Sequence, residues 1–232
     1  TDIRNRKVYK MIKAVIFDMD GVLIDTEPLH YRCWKEILKE HYDVEFDYDI
    51  YLPCIGSTRQ FFRDLVKEHY GVDFPDLDEM NRIMKVKKSQ IVKAEGFPEM
   101  PGVENALKQL KEMGYKLAVA SSSPESEIMD AMTRLGLMPY FDSITSGDHV
   151  EHPKPEPDTF LLAAERLNVP TDNCLVIEDS TNGGRAALAA KMDCVWLHNP
   201  HSGQQDIPNA ILEIPAWTED GIEKLVKLIQ EM

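Results

Sequence analysis

The sequence predicts an α/β fold, a mostly parallel sheet doubly wound with helices on both faces and interrupted by an all-helical segment. Three observations carry this reading. Short apolar, β-branched runs such as Val15-Ile16-Phe17 and Leu175-Val176-Ile177 read as strands buried on both faces. From Val103 onward such runs alternate with amphipathic helical stretches, the pattern of βαβ units. Between the first strand and that alternation lie three helical stretches with no convincing strand among them.

Taken in order, the polar start Thr1 to Lys10 precedes Met11 and reads as an extension outside the fold. The first strand runs through Val15-Ile16-Phe17 and empties onto Asp18, Asp20 and Gly21. Side chains alternate along a strand, so Asp18 and Asp20 face one site if the extended geometry persists. Thr26 to about Tyr42 turns helical, with Leu29, Cys33 and Ile37 every four residues. Thr26 is the expected N-cap and Pro28 suits the first turn. A second helix follows Ser57-Thr58, with Phe61, Phe62, Leu65, Val66 and Tyr70 on one stripe, and a third covers roughly Asp78 to Lys93. The prolines and glycine of Phe97-Pro-Glu-Met-Pro-Gly102 mark a boundary or hinge. Helix 103–113, strand 116–120, helix 125–135, strand 141–146, helix 159–167, strand 174–177, helix 183–190, strands 194–197 and 210–214, and a closing helix 218–231 then follow.

The 232 residues suffice for one large domain or a domain with an insertion, and 43% hydrophobic with 28% charged content is ordinary for a globular protein. A net charge of −14 argues against nucleic acid or an anionic membrane as partner. The same charge requires any anionic substrate to find a locally positive pocket or a metal ion. No run is long and apolar enough for a transmembrane helix and no signal-peptide pattern is evident, so the expected location is cytoplasmic and the expected state a monomer. Cys33, Cys54, Cys174 and Cys194 form no C-x-x-C pair and read as buried free thiols rather than a zinc site.

Polar residues gather where strands end. Leu117-Ala-Val-Ala120 runs into Ser121-Ser122-Ser123, whose hydroxyls and N–H groups suit either a phosphate cradle or a simple helix cap. Lys154 is flanked by Pro153 and Pro155, which leave it little freedom to lose on meeting an anion. Leu175-Val-Ile177 ends in Glu178-Asp179-Ser180, a second acidic pair. Carboxylates clustered on one face are costly without a cation, and hard oxygen ligands favour Mg²⁺.

The order D-x-D-G, Ser, Lys, E-D, each just past an apolar strand, resembles the haloacid dehalogenase superfamily. More narrowly it is similar to the branch with a helical cap inserted after the first motif, which holds β-phosphoglucomutases and many small-metabolite phosphatases. The resemblance spans nearly all of Met11 to the C-terminus. It implies a Rossmann-like catalytic core over 11–27 and 97–232 and a helical cap over 28–96. It implies Asp18 as nucleophile, Asp20 as general acid and base, and Ser121 and Lys154 as holders of the phosphoryl oxygens. It implies Mg²⁺ on Asp18, Asp20 (through its carbonyl), Asp179 and Glu178.

For the substrate, a small phosphorylated metabolite, the candidates are Ser122, His30, Trp34, and Gly56 with Arg59 at the start of the second cap helix. Arg59 suits a second phosphate or a sugar oxygen, and equally a surface arginine; His30 and Trp34 suit a sugar pocket or a packed helix face. Lys85, Lys87 and Lys88 read as a solvated helix face. The resemblance implies a phosphatase of a small phosphorylated metabolite such as a sugar phosphate, or a β-phosphoglucomutase moving phosphate between C1 and C6. The His198-Asn-Pro-His201 loop matches no motif and is assigned no role.

Overall fold

The computed structural model describes residues 11–55 and 57–232; Thr1 to Lys10 and Gly56 lie outside the described residues. Six parallel strands form one sheet in the order β3-β2-β1-β4-β5-β6. They are β1 (Ala14–Phe17), β2 (Lys116–Ser121), β3 (Ser143–Ser146), β4 (Cys174–Glu178), β5 (Asp193–Leu197) and β6 (Ala210–Ile214). The chain moves outward from β1 through β2 to β3, then returns to the other side of β1 for β4 and onward. The loops after β1 and β4 therefore diverge, leaving the crevice in which open α/β sheets bind ligands.

The two-residue alternation of the strands divides the core. Val15, Phe17, Leu117, Val119, Leu175 and Ile177 face one side, where they pack with buried residues of α5 (Val103–Glu112), α6 (Glu125–Arg134) and α9 (Glu219–Glu231). Ala14, Ile16, Ala118, Ala120, Cys174 and Val176 face the other, against α7 (Asp158–Leu167) and α8 (Thr181–Ala189). Both faces being covered, the strands read as continuous apolar runs. The four cysteines are buried. No helix among the described residues is long and apolar enough to cross a membrane.

Among the described residues, four α-helices precede α5 in the stretch between β1 and β2: α1 (Thr26–Tyr42), α2 (Tyr48–Tyr51), α3 (Arg59–Tyr70) and α4 (Leu77–Glu95). They share an apolar cluster of their own, in which the Trp34 and Phe62 rings lie 4.5 Å apart. Thr58 caps α3 by accepting from the Phe61 N–H (3.2 Å), and Asp76 caps α4 by accepting from Glu79 (2.9 Å). Thr26 does not cap α1; it is the first helical residue, and Asp25 holds the cap position. The short α2 has no counterpart in the sequence reading, because four residues carry no helical period. The segments entering and leaving these helices are paired: Asp25 N–H donates to Pro98 (2.8 Å) and Met100 N–H to Leu23 (3.0 Å).

Candidate active site

β1 stops at Phe17, one residue short of the first acid. Asp18 continues the alignment through its N–H, which donates to Ile177 of β4 (3.0 Å), and then the chain turns, with the N–H groups of Leu23 and Ile24 both returning to the Met19 carbonyl. Asp18 and Asp20 therefore meet around one cavity by a turn, not by the alternation of an extended strand. Gly21 makes the turn possible. Its φ is +84°, and a Cβ there would fall 1.9 Å from Asp179 Oδ2.

The cavity, about 260 Å³, is lined by Asp18, Asp20, Ser121, Ser122, Lys154, Glu178 and Asp179, with Gly21, Ser202 and Gln205 among its other walls. Loops after β1, β2, β3 and β4 thus bring their polar residues to one point. Lys154 is the centre of the charge network. Its Nζ donates to Asp18 Oδ1 (2.5 Å), Glu178 Oε1 (2.7 Å) and the Ala120 carbonyl (2.9 Å), and lies 4.5 Å from the Phe160 ring centre. All three ammonium protons are committed. Burial works against this ammonium, but Asp18 and Glu178 outweigh it and hold its pKa above the ordinary lysine value.

The acids outnumber this cation. Burial, reinforced by Glu178 and Asp20 against the pull of Lys154, pushes Asp18 up to about 8. Burial, then Glu178 and Asp18, raise Asp179 well above an ordinary aspartate. Carboxylate oxygens of Asp18, Glu178 and Asp179 all lie within 4.8 Å of one another. Among the described residues, Asp18 Oδ2 and Asp179 Oδ1 accept no hydrogen bond, while Glu178 is the most committed: beyond Lys154 it accepts from Asp179 N–H (3.0 Å), Ser180 N–H (3.1 Å) and the Ser180 hydroxyl (3.0 Å). An oxygen-only, net-negative and buried donor set fits a hard divalent cation.

The supporting hydroxyls are legible only in part. Ser121 is buried and its Oγ accepts from Ser123 N–H (3.0 Å). Ser123 holds Asp20, donating to its Oδ2 (2.8 Å), and Ser202 donates to Asp179 Oδ2. Ser202 escaped the sequence reading although it obeys the same rule, a polar loop beyond the carboxyl end of a buried strand, here β5.

The remaining candidates sit elsewhere. His30, Trp34 and Arg59 line a second cavity of about 680 Å³ between the inserted helices and α6, and Gly56 lies outside the described residues. Glu27 lines both cavities; Tyr51 donates to it (2.8 Å) and His30 lies 3.6 Å away. Of the three lysines expected on a solvated face, Lys85 is exposed and the other two are drawn inward. Lys87 is buried and donates to both oxygens of Glu40 (2.7 Å each), Lys88 pairs with Glu127 across the cavity, and Lys85 lines it. Arg59, Lys85 and Lys93 line this cavity with no acidic partner among the described residues. Spacing alone placed these lysines on one helix; packing of α4 against α1 and α6 decided which of them faces what.

Residues 15–197 match the model of a family described as haloacid dehalogenase-like hydrolase. The chain is 33% identical over 224 residues to a phosphorylated carbohydrates phosphatase of Thermotoga maritima, covering 95% of this chain and 100% of the relative. It is 34% identical over 190 residues to a fructose-1-phosphate phosphatase of Escherichia coli, covering 81% and 97%. Among solved structures, a β-phosphoglucomutase from Clostridium difficile superposes with a TM-score of 0.70 at 26% identity, covering 95% of this chain and 98% of that one.

Proposed function

Because the chain belongs to the haloacid dehalogenase-like hydrolases and is an enzyme of the phosphatase type, we propose that it hydrolyses a small phosphorylated carbohydrate through a phosphoryl group carried on Asp18. The observation that carries this reading is the meeting of Asp18, Asp20, Ser121, Lys154 and Asp179 at the wall of one small cavity below a larger one.

An Asp18 carboxylate oxygen bonds to phosphorus as the bond to the leaving sugar oxygen breaks, and Asp20 supplies the proton that oxygen needs. Water then attacks the aspartyl-phosphate, Asp20 takes its proton, and inorganic phosphate leaves with the Asp18 carboxylate restored. Ser123 keeps Asp20 aimed for both transfers. Lys154 and the Ser121 hydroxyl supply positive charge and a donor for the phosphoryl oxygens; positioning and charge stabilisation are most of what phosphoryl transfer needs. Asp18, Asp179 and the less free Glu178, with the Asp20 carbonyl, would hold Mg²⁺. When bound, it would keep Asp18 ionised near neutral pH and offset the negative charge of the phosphate that Asp18 attacks.

The inserted helices act as a cap, with the carbohydrate lodged in the 680 Å³ cavity beside Arg59, Lys85 and Lys93. Closure of that cap over the phosphate excludes bulk water. Phosphate release measured over a panel of phosphorylated sugars and polyols, with Mg²⁺, tests the reading. Isomerisation of β-glucose 1-phosphate to glucose 6-phosphate with glucose 1,6-bisphosphate present, and little free phosphate, would replace it with a mutase.

A further inference from the structure

The loop between β5 and β6, which no motif explains, touches Gly21, Asp25 and Asp179 at once. Asn199 is buried and its Nδ2 donates to the Gly21 carbonyl (3.3 Å) and to Asp25 Oδ1 (3.2 Å). His201 Nδ1 lies 2.7 Å from the other Asp25 oxygen. Asp25 is the residue before α1, and its N–H is bonded to Pro98 on the returning segment, so it sits where the two cap linkers cross. Ser202, the residue after His201 and buried, donates to Asp179. Gly203 has φ +71°, and a Cβ there would lie 3.0 Å from Ile55, just before α3. The turn is itself tied down, with His201 N–H donating to Asn199 Oδ1 (2.8 Å), Gln205 Nε2 donating to the Ser202 carbonyl (2.7 Å), and Thr181 N–H at the start of α8 donating to Gln205 (2.9 Å).

We propose that the Asn199–Ser202 turn is a positioning element that couples the cap hinge to the acidic centre. Asn199 and His201 fix Asp25, and Ser202 fixes Asp179. A rigid four-residue turn bonded at both ends transmits the set of the hinge to the reacting carboxylates, where misplacement by about 1 Å costs heavily. The inference rests on the reading that the inserted helices close over a phosphoryl-transfer site.

The test compares Asn199→Ala, His201→Ala, His201→Gln and Ser202→Ala in the full chain. Amide hydrogen exchange is followed at residues 23–26 and 97–100, and kcat/KM is measured for glucose 6-phosphate and for acetyl phosphate, which is too small to fill the upper cavity. Asn199→Ala and His201→Ala are expected to speed exchange at both linkers by about tenfold or more, the scale of one lost hydrogen bond to a charged group. They are expected to lower kcat/KM for glucose 6-phosphate about tenfold, and His201→Ala, whose side chain faces Asp25 and not Gly21, is expected to lower that for acetyl phosphate less than about twofold. His201→Gln, which keeps a donor, restores both. Ser202→Ala lowers both substrates alike, because it acts on Asp179. Unchanged exchange at the linkers, or equal losses on the two substrates in His201→Ala, overturns the coupling. Wild-type protein that releases phosphate from neither substrate nor any member of the phosphorylated sugar and polyol panel refutes the phosphatase reading instead, and the exchange measurement still decides whether the turn holds the linkers.

Discussion

The two cavities are built on opposite principles. In the lower one almost every polar atom has an assigned partner: Lys154 spends its three protons, Ser123 holds Asp20, and Ser202 holds Asp179. In the upper one Arg59, Lys85 and Lys93 have no acidic partner among the described residues, and aromatic and apolar side chains such as Trp34, Phe62 and Met84 share the lining. The lower site rests on the ends of buried, paired strands; the upper one rests on helices that pack mainly on one another, with α1 and α4 also reaching the sheet core through Leu29, Cys33, Ile91 and Val92. Chemistry common to many substrates belongs on the first kind of support, and discrimination among substrates on the second.

The comparison breaks most directly at Asp18. Asp18→Asn leaves the shape of the lower cavity intact and is expected to cut phosphate release by about ten-thousand-fold or more, with an unchanged circular dichroism spectrum. Retained turnover would mean that the lower cavity is not where the chemistry happens. Lys154→Met strands Asp18 and Glu178 without their buried partner. It is expected to cost about a thousandfold in kcat and about 3 kcal/mol in stability by urea denaturation.

Divalent cation binding sharpens the contrast through pH. The folded Asp18 titrates at about 8 against 3.8 for an ordinary aspartate. Between those values the folded chain holds a proton that the unfolded chain has released, so this group makes the metal-free protein less stable as pH rises from 3.8 to about 8. A cation on the site removes that penalty. Chelation should abolish turnover, and the rise in Tm on adding Mg²⁺ should be small at pH 5 and largest near pH 8. A Tm gain independent of pH would show that the cation binds elsewhere.

Changes in the upper cavity are expected to be milder for chemistry. Trp34→Ala removes a buried ring packed at a tilt against Phe62 and should destabilise the helical cluster by about 3 kcal/mol, read by thermal unfolding, while kcat for acetyl phosphate stays within about twofold. Arg59→Ala should raise KM for the preferred phosphorylated sugar by about fivefold with Tm unchanged. If Arg59→Ala lowered kcat as strongly as Lys154→Met, the division of labour between the two cavities would be wrong.

The strands, the order of elements and the acids at the strand ends were legible because each depends on local chemistry. Period-2 burial writes Val15, Phe17, Leu175 and Ile177 into the sequence as apolar runs, and ionisable groups just beyond them stand out. The lysines of α4 were not legible. Lys85, Lys87 and Lys88 are near neighbours in sequence, yet one lines a cavity, one is buried on Glu40 and one reaches Glu127 of another helix, because side-chain direction on a helix turns by about 100° per residue and means nothing until its neighbours are placed.

By itself the sequence determined an α/β chain with an acidic, phosphate-suited set of strand ends. Only the tertiary structure decided that Asp18 and Asp20 meet through a turn, that Lys154 lies between Asp18 and Glu178, and that a loop 178 residues away from Gly21 closes on it through Asn199. The physical reason is range. Backbone propensity and hydrophobic period act within a few residues, whereas a buried charge finds its partner wherever the fold brings one within hydrogen-bond distance.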